Sequence, residues 1–78
     1  MLRTTDYFAY TRTRADRAGI RDEGIILAIE QPVAVAVQGD GRNRRWAYIA
    51  EAGRYRRVVL LADALTVHNA FFDHRLEP

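Results

Sequence analysis

The pattern of apolar and polar positions changes its period near the middle of the chain. Before Pro32 the apolar residues recur at helical spacing, whereas from Val33 onward they alternate with a period of two. A period near 3.6 is typical of a helix packed by one face, and a period of two is typical of a strand covered on one side. The sequence therefore predicts a helical first half and a β-rich second half.

The first predicted helix begins near the N-terminus. Asp6 can act as its N-cap, because a short carboxylate side chain can accept a hydrogen bond from a first-turn N–H group. The helix is expected to run to about Ala18, and Gly19 suits the left-handed residue that often follows a helix.

A second helix is predicted from Asp22, its expected N-cap, to just before Pro32, which cannot continue a helix. Its segment Ile25 to Ile29 is entirely apolar, so we expect the segment to be buried. Gly24 in the first turn weakens this helix by about 1 kcal/mol relative to alanine.

Four strands are predicted after Pro32. The first alternates Val33, Val35 and Val37 with alanines, which is typical of a half-buried strand. The other three, separated by turns at 39–41, 51–53 and 63–64, span about Arg42 to Ala50, Arg54 to Ala62 and Leu65 to Phe72. Short turns join antiparallel neighbours. We expect one α+β domain over residues 1–78, with two N-terminal helices packed on a four-stranded antiparallel meander.

The turn at 63–64 also predicts which side chains share a face. If it is a two-residue turn, Leu60 pairs with Val67 and Arg57 with Ala70. The core face would then carry Arg56, Val58, Leu60, Leu65, Val67 and Phe71. The other face would carry Tyr55, Arg57, Val59, Leu61, Thr66, His68 and Phe72.

This register would let Tyr55, Arg57 and His68 converge. A slip of one residue would reverse the grouping. The faces taken by Trp46 and Tyr48 depend on the turn at 51–53 and stay open.

Composition adds a chemical bias to this fold. The 78 residues include twelve arginines and no lysine, for a net charge of only +2. A GC-rich genome favours arginine codons, but guanidinium groups also bind phosphate bidentately and stack on bases. The absence of cysteine excludes disulfides, thiolate metal sites and thiol nucleophiles, and serine is absent too. No segment has the length of a membrane span or the order of a signal peptide, so we expect a cytoplasmic protein.

The basic side chains concentrate on the second and third predicted strands, where aromatic residues interrupt them. They are Arg42, Arg44, Arg45, Arg54, Arg56 and Arg57, with Trp46, Tyr48 and Tyr55 among them. Such a mixture suits single-stranded nucleic acid, since cations meet phosphates and rings stack on bases. The alternative is a solvated sheet edge whose arginines prevent aggregation.

His68 stands inside an apolar strand. It could act as a general acid or base, or as a hydrogen-bonded structural histidine. A metal site from His68, Asp73 and His74 is not expected, because their spacing matches no standard site. No cofactor is expected, since the chain has no phosphate-binding glycine loop.

Several segments together resemble a known family. They are AGIRDEGIILAIEQP, GDG, RRWAYI, GRYRRVVLLAD and TVHNAFFD, and they cover roughly Ala18 to Asp73. They are similar to a family of small uncharacterised bacterial domains within the RelE/ParE/BrnT toxin superfamily. The resemblance implies helices on a twisted antiparallel sheet, and metal-independent RNA cleavage, often on the ribosome, or gyrase inhibition. It also implies an antitoxin partner.

The resemblance implies roles for particular side chains. The closest occupants of the catalytic positions are Arg44, Tyr55, Arg57 and His68. The residues expected to contact nucleic acid are Arg42, Arg45, Trp46, Arg54 and Arg56. The chain departs from the family pattern in lacking a histidine before the first helix, in Gly24, and in Ala64 where a turn glycine is usual.

Three functional hypotheses follow. The first is a toxin-like endoribonuclease that acts on RNA or the ribosome, with no metal and no membrane partner. The second is a non-catalytic module, such as a degenerate toxin-fold member, that binds nucleic acid or a protein. The third is a homodimeric assembly domain that pairs through a sheet edge or through exposed Trp46, Tyr48 and Phe72.

Overall fold

The computed structural model describes residues 2–13 and 21–73 of the chain. Its elements are α1 (Asp6–Thr11), α2 (Asp22–Glu30), β1 (Ala34–Val37), β2 (Asn43–Ile49), β3 (Arg54–Leu60) and β4 (Val67–Asp73). The strands form one antiparallel sheet in the order β1-β2-β3-β4. The predicted α+β class, with two helices and a four-stranded antiparallel meander, is confirmed. Neither described helix is long and apolar enough to cross a membrane.

The N-cap of α1 is Thr5 rather than the predicted Asp6. The Oγ1 atom of Thr5 accepts a hydrogen bond of 3.1 Å from the N–H of Phe8. The helix ends at Thr11, and past this end the N–H and the hydroxyl of Thr13 both donate to the carbonyl of Tyr10, three residues earlier, rather than continuing the four-residue spacing of the helix. The predicted continuation through Thr13 is therefore wrong, and its remainder, residues 14–20, lies outside the described residues.

The N-cap of α2 is Arg21 rather than the predicted Asp22, and its side chain makes no capping hydrogen bond. The Asp22 carboxylate instead forms an ion pair of 2.7 Å with Arg12. The helix ends at Glu30, two residues before Pro32, as predicted.

Burial along the apolar run of α2 follows one helical face. Ile25 and Ala28 are fully buried, whereas Ile26 and Leu27 are 39% and 37% exposed. The prediction that the whole run is buried is wrong, because the sheet covers only one side of the helix.

The core lies between the helices and one side of the sheet, which we call the helix face. α2 packs on β2 and β3, and α1 packs on β4. The fully buried side chains of this core are Phe8, Ile25, Ala28, Ala47, Val58, Leu60, Val67 and Ala70. Arg45 links β2 to α2 by a hydrogen bond: its Nη1 donates to the carbonyl of Ile29, in the last turn of the helix, at 2.7 Å.

β1 is an edge strand, and its valines, together with Val33 just before it, are exposed. Val33, Val35 and Val37 are 61%, 51% and 68% exposed. The prediction of a half-buried strand does not hold for these valines, because α2 lies over β2 and β3 rather than over β1.

The pairing of β3 with β4 contains a bulge at His68. Leu60 pairs with Val67 as predicted, but the next pair joins Val59 to Asn69 and leaves His68 without an opposite residue. Arg57 consequently faces Phe71 rather than the predicted Ala70.

The bulge exchanges the faces predicted for the two phenylalanines. Phe72 pairs with Arg56 on the helix face, and Phe71 lies on the opposite face. Leu65, predicted in the core, is 53% exposed. It belongs to a longer turn in which Ala64 adopts a φ of 58°, the left-handed conformation that favours glycine.

Candidate functional site

The register of β2 against β3 places Trp46 and Tyr48. Trp46 pairs with Arg57, and Tyr48 pairs with Tyr55. Directly opposite residues lie on the same face of an antiparallel pair. The side of the sheet away from the helix face, called here the tyrosine face, carries Arg44, Trp46, Tyr48, Tyr55, Arg57, Val59, Asn69, Phe71 and Asp73.

Asp73 lies at the centre of a polar cluster on the tyrosine face. Its carboxylate accepts a hydrogen bond of 3.0 Å from the indole Nε1 of Trp46. The Nε of Arg57 lies 3.5 Å from the same oxygen, and the side chains of Arg57 and Asp73 are only 12% and 5% exposed. The Arg57 guanidinium also lies 4.4 Å from the ring centre of Phe71. The charge of Arg57 is thus held in position by two neighbours on β4, Asp73 and Phe71.

The sequence indicates no role for Asp73 other than the metal site that is not expected. In the structure its partners are Trp46 and Arg57. His74, the other ligand considered, lies outside the described residues. The signal that could have identified Asp73 is its place in β4, two residues beyond Phe71 and therefore on the same face.

Tyr48 and Tyr55 form an aromatic pair beside this cluster. Their ring centres are 5.3 Å apart with an interplanar angle of 63°, an edge-to-face contact. Tyr48 is 38% exposed and presents part of its ring to solvent. Arg44, opposite Val59, lies half-buried on the same face.

His68 lies apart from the other predicted catalytic residues. Its Nδ1 is 3.2 Å from the Oγ1 of Thr5, and its ring stacks on Tyr7 of α1 with centres 5.0 Å apart. It is three residues from Phe71, the partner of Arg57, which corresponds to about 10 Å along the strand. The predicted convergence of His68 with Arg57 and Tyr55 is wrong, because the bulge directs His68 towards α1.

The remaining predicted contacts to nucleic acid are scattered. Arg45 is engaged by Ile29 and by Asn43 on the helix face. Arg42 lies in the first hairpin turn, where its Nε is 3.6 Å from a carboxylate oxygen of Asp40. Arg54 is exposed and lies against Phe72.

Arg56 is unusual because it is buried. It is 3% exposed, and its guanidinium carbon lies 4.3 Å from the ring centre of Phe72. Its Nε and Nη1 have no hydrogen-bond partner in the described part of the chain. Loss of hydration lowers the pKa of this guanidinium below its ordinary value.

The sequence-predicted site is thus divided by the sheet. The tyrosine face holds Arg44, Trp46, Tyr55 and Arg57, and the helix face holds Arg45, Arg54 and Arg56. The first group joins stacking surfaces to fixed positive charge, which suits a flexible polyanion with aromatic bases.

No protein-family model matches this chain, and neither a curated protein nor a solved structure matches it.

Proposed function

We propose that this protein binds single-stranded nucleic acid through the tyrosine face, without cleaving it. The observation that carries the proposal is the partly exposed Tyr48–Tyr55 pair on the same face as Arg44 and Arg57. A base stacked on a tyrosine stabilises a complex by about 1 to 3 kcal/mol and tolerates any sequence.

The two arginines would contribute differently. Arg57 is already oriented by Asp73 and Phe71, so little side-chain entropy would be lost when a phosphate binds. Asp73 also offsets part of its charge. Arg44 has no ion pair within the described residues, so it supplies the less compensated charge for the phosphate backbone.

Binding is favoured over cleavage by the position of His68. A general base must lie within hydrogen-bonding reach of the proton that it removes. His68 is held by Thr5 and Tyr7, away from Arg57. Because of the resemblance to the toxin superfamily, RNA is the first nucleic acid to test. The same resemblance leads us to include a ribosomal binding site and an antitoxin partner in the proposal.

Binding is best measured by fluorescence anisotropy with a labelled 12-nucleotide RNA and a DNA of the same sequence. We expect Tyr48→Leu to weaken binding by about tenfold or more, while Tyr10→Leu, at an exposed tyrosine of α1, leaves it unchanged. Arg44→Gln should reduce the salt dependence of the affinity, and Arg3→Gln should not. Equal affinity of the wild type and Tyr48→Leu would overturn the assignment of this face.

Cleavage is tested on the same samples. RNA incubated with the protein in chelator, with and without ribosomes, is expected to remain intact. If the RNA is cut and His68→Ala or Tyr55→Phe abolishes the cutting, the ribonuclease hypothesis replaces this proposal.

A second candidate is self-association through β1. The specific observation is the row of exposed valines along an edge strand without a charged side chain. Trp46 is only 9% exposed, so it does not belong to such a surface, contrary to the sequence-based hypothesis. A dimer in sedimentation equilibrium that Val35→Lys converts to a monomer would support this candidate, and a wild-type monomer would remove it.

A further inference from the structure

A pocket of about 670 Å³ opens where the start of α2 meets the end of β2. Pockets of this size commonly hold small organic ligands. Its wall includes Glu23 and Gly24 from α2, Ile49 and Glu51 from β2 and the following turn, and Arg56 and Phe72 from the neighbouring strands. Tyr48 also borders this pocket, but the tyrosine-face proposal does not require a ligand there.

Arg56 is the first indication of a ligand. The side chain lines the pocket and is only 3% exposed. Its Nε and Nη1 have no hydrogen-bond partner among the described residues. A buried cation without a counter-ion is costly, because the loss of hydration is not offset by a partner. The contact with the Phe72 ring offsets only part of this. A bound anion would supply the missing partner.

The N-terminus of α2 gives a second, independent indication. The N-cap Arg21 makes no side-chain hydrogen bond to the first turn. The first-turn N–H groups of a helix carry partial positive charge and favour an anion. Gly24 brings this backbone close to Arg56, since a Cβ at that position would lie 3.6 Å from the Arg56 Nε. The first turn of α2 and Arg56 also line the same pocket.

The other residues of the wall restrict the kind of anion. Glu23 and Glu51 line the pocket too, and two carboxylates disfavour a dianion such as a phosphate monoester. Leu27, Ile49 and Phe72 offer apolar surface to a hydrocarbon group. We infer that the pocket binds a small organic monocarboxylate with an apolar tail, its carboxylate on Arg56 and its tail against Ile49 and Phe72.

The test is an amide-resolved NMR titration of the full chain with 3-phenylpropionate. The matched probe is 3-phenylpropionamide, which has the same shape without the charge. We expect saturable shifts at Gly24, Ile49, Arg56 and Phe72, with the acid binding at least about tenfold more tightly than the amide. Inorganic phosphate is expected to bind more weakly than the acid.

Two variants sharpen the test. Arg56→Met removes the charge from a side chain of similar length and should weaken binding of the acid at least about tenfold. Arg54→Met is the matched control, because Arg54 also contacts the Phe72 ring but is exposed, and it should leave binding within about twofold of the wild type.

Three results would overturn the inference. The first is equal affinity of acid and amide for the wild type, which needs no variant to fold. The second is tighter binding of phosphate than of the acid. The third is undiminished binding of the acid by folded Arg56→Met. Loss of RNA binding at the tyrosine face would leave all three outcomes unaffected.

Discussion

The indole N–H of Trp46 on β2 donates a 3.0 Å hydrogen bond to the carboxylate of Asp73 on β4, across the intervening strand β3. Arg57 of β3 lies between them, with its Nε 3.5 Å from the same oxygen. One buried carboxylate thus ties three strands together through side chains on the tyrosine face. The two helices lie on the other side of the sheet, so the main core does not cover the tyrosine face. This cluster therefore stabilises the sheet from that face.

Removing this carboxylate is expected to destabilise the fold. Asp73→Ala leaves the Trp46 N–H without its acceptor and removes a counter-charge of Arg57, so we expect a loss of about 2 to 4 kcal/mol in the free energy of unfolding. Asp73→Asn keeps an acceptor oxygen and should lose less, about 1 to 2 kcal/mol. Urea unfolding followed by the fluorescence of the single tryptophan measures both. Two variants of equal stability would show that the Trp46 hydrogen bond contributes nothing.

The hydroxyl of Thr5 joins the start of α1 to the bulge in β4. It accepts from the Phe8 N–H at 3.1 Å and lies 3.2 Å from the Nδ1 of His68. We expect Thr5→Ala to lose about 1 to 2 kcal/mol, the usual contribution of an N-cap, and Thr5→Ser to lose much less. Thr4→Ala is the control for the urea midpoints, because the side chain of this neighbouring threonine makes no hydrogen bond within the described residues. A loss in Thr5→Ser as large as in Thr5→Ala would contradict the capping role.

The order of elements was predictable because the hydrophobic period changes at Pro32 and turn residues separate the strands. The pairing of Leu60 with Val67 was also predictable from the turn at 63–64. The bulge at His68 was not, because its partner contacts come from Thr5 and Tyr7, more than sixty residues earlier. Periodicity carries no information about contacts so distant in sequence.

The candidate site was predicted in its residue types more than in its geometry. Tyr55 and Arg57 share a face as expected from the alternation along β3. Arg44 lies on that face too, but the sequence leaves its face open, because the register of β2 depends on the turn at 51–53. His68 is separated from them because β4 has one extra residue at the bulge, which moves the His68 side chain away from its predicted position. Arg56 lies on the helix face, as predicted from the alternation along β3, but the extent of its burial could not be predicted, because it depends on the close approach of α2 at Gly24.

Asp63 makes stability depend on pH in the acid range. Its carboxylate accepts hydrogen bonds from the Thr66 hydroxyl and from the N–H groups of Thr66 and Leu65, at 2.6, 2.8 and 2.9 Å. The Thr66 hydroxyl has the largest effect, and together these bonds lower the pKa of Asp63 from 3.8 to about 2. A depressed carboxyl pKa stabilises the folded state above the unfolded value, so this contribution is lost as pH falls from about 4 to about 2.

The difference in unfolding free energy between the wild type and Asp63→Asn isolates this contribution. It should be constant above pH 5 and shrink between pH 4 and pH 2. An NMR titration of the Asp63 side-chain carboxyl checks the pKa directly. A midpoint near the ordinary value of 3.8 would contradict the role of the turn hydrogen bonds.

Gly24 allows a test of how tightly α2 is seated on the sheet. Alanine there would gain about 1 kcal/mol of helix propensity. Its Cβ would lie 3.2 Å from the Cδ1 of Ile49, a terminal methyl that borders the pocket and can shift by a few tenths of an ångström. We expect Gly24→Ala to stabilise the protein by about 0.5 kcal/mol, because the gain in propensity exceeds the small displacement.

A larger side chain at the same position should reverse the sign. Gly24→Val adds two methyl groups towards Ile49 and Arg56 and should destabilise the fold by about 1 to 3 kcal/mol through overpacking. Gly39→Ala is the control, since a Cβ there meets no atom within 4 Å. Any change in its stability therefore comes from the reduced conformational entropy of the unfolded chain. Urea midpoints of the three variants decide the question. If Gly24→Ala is destabilised as much as Gly24→Val, neither α2 nor Ile49 can shift to make room for a Cβ. Only glycine would then allow the backbone of α2 to approach Arg56 this closely.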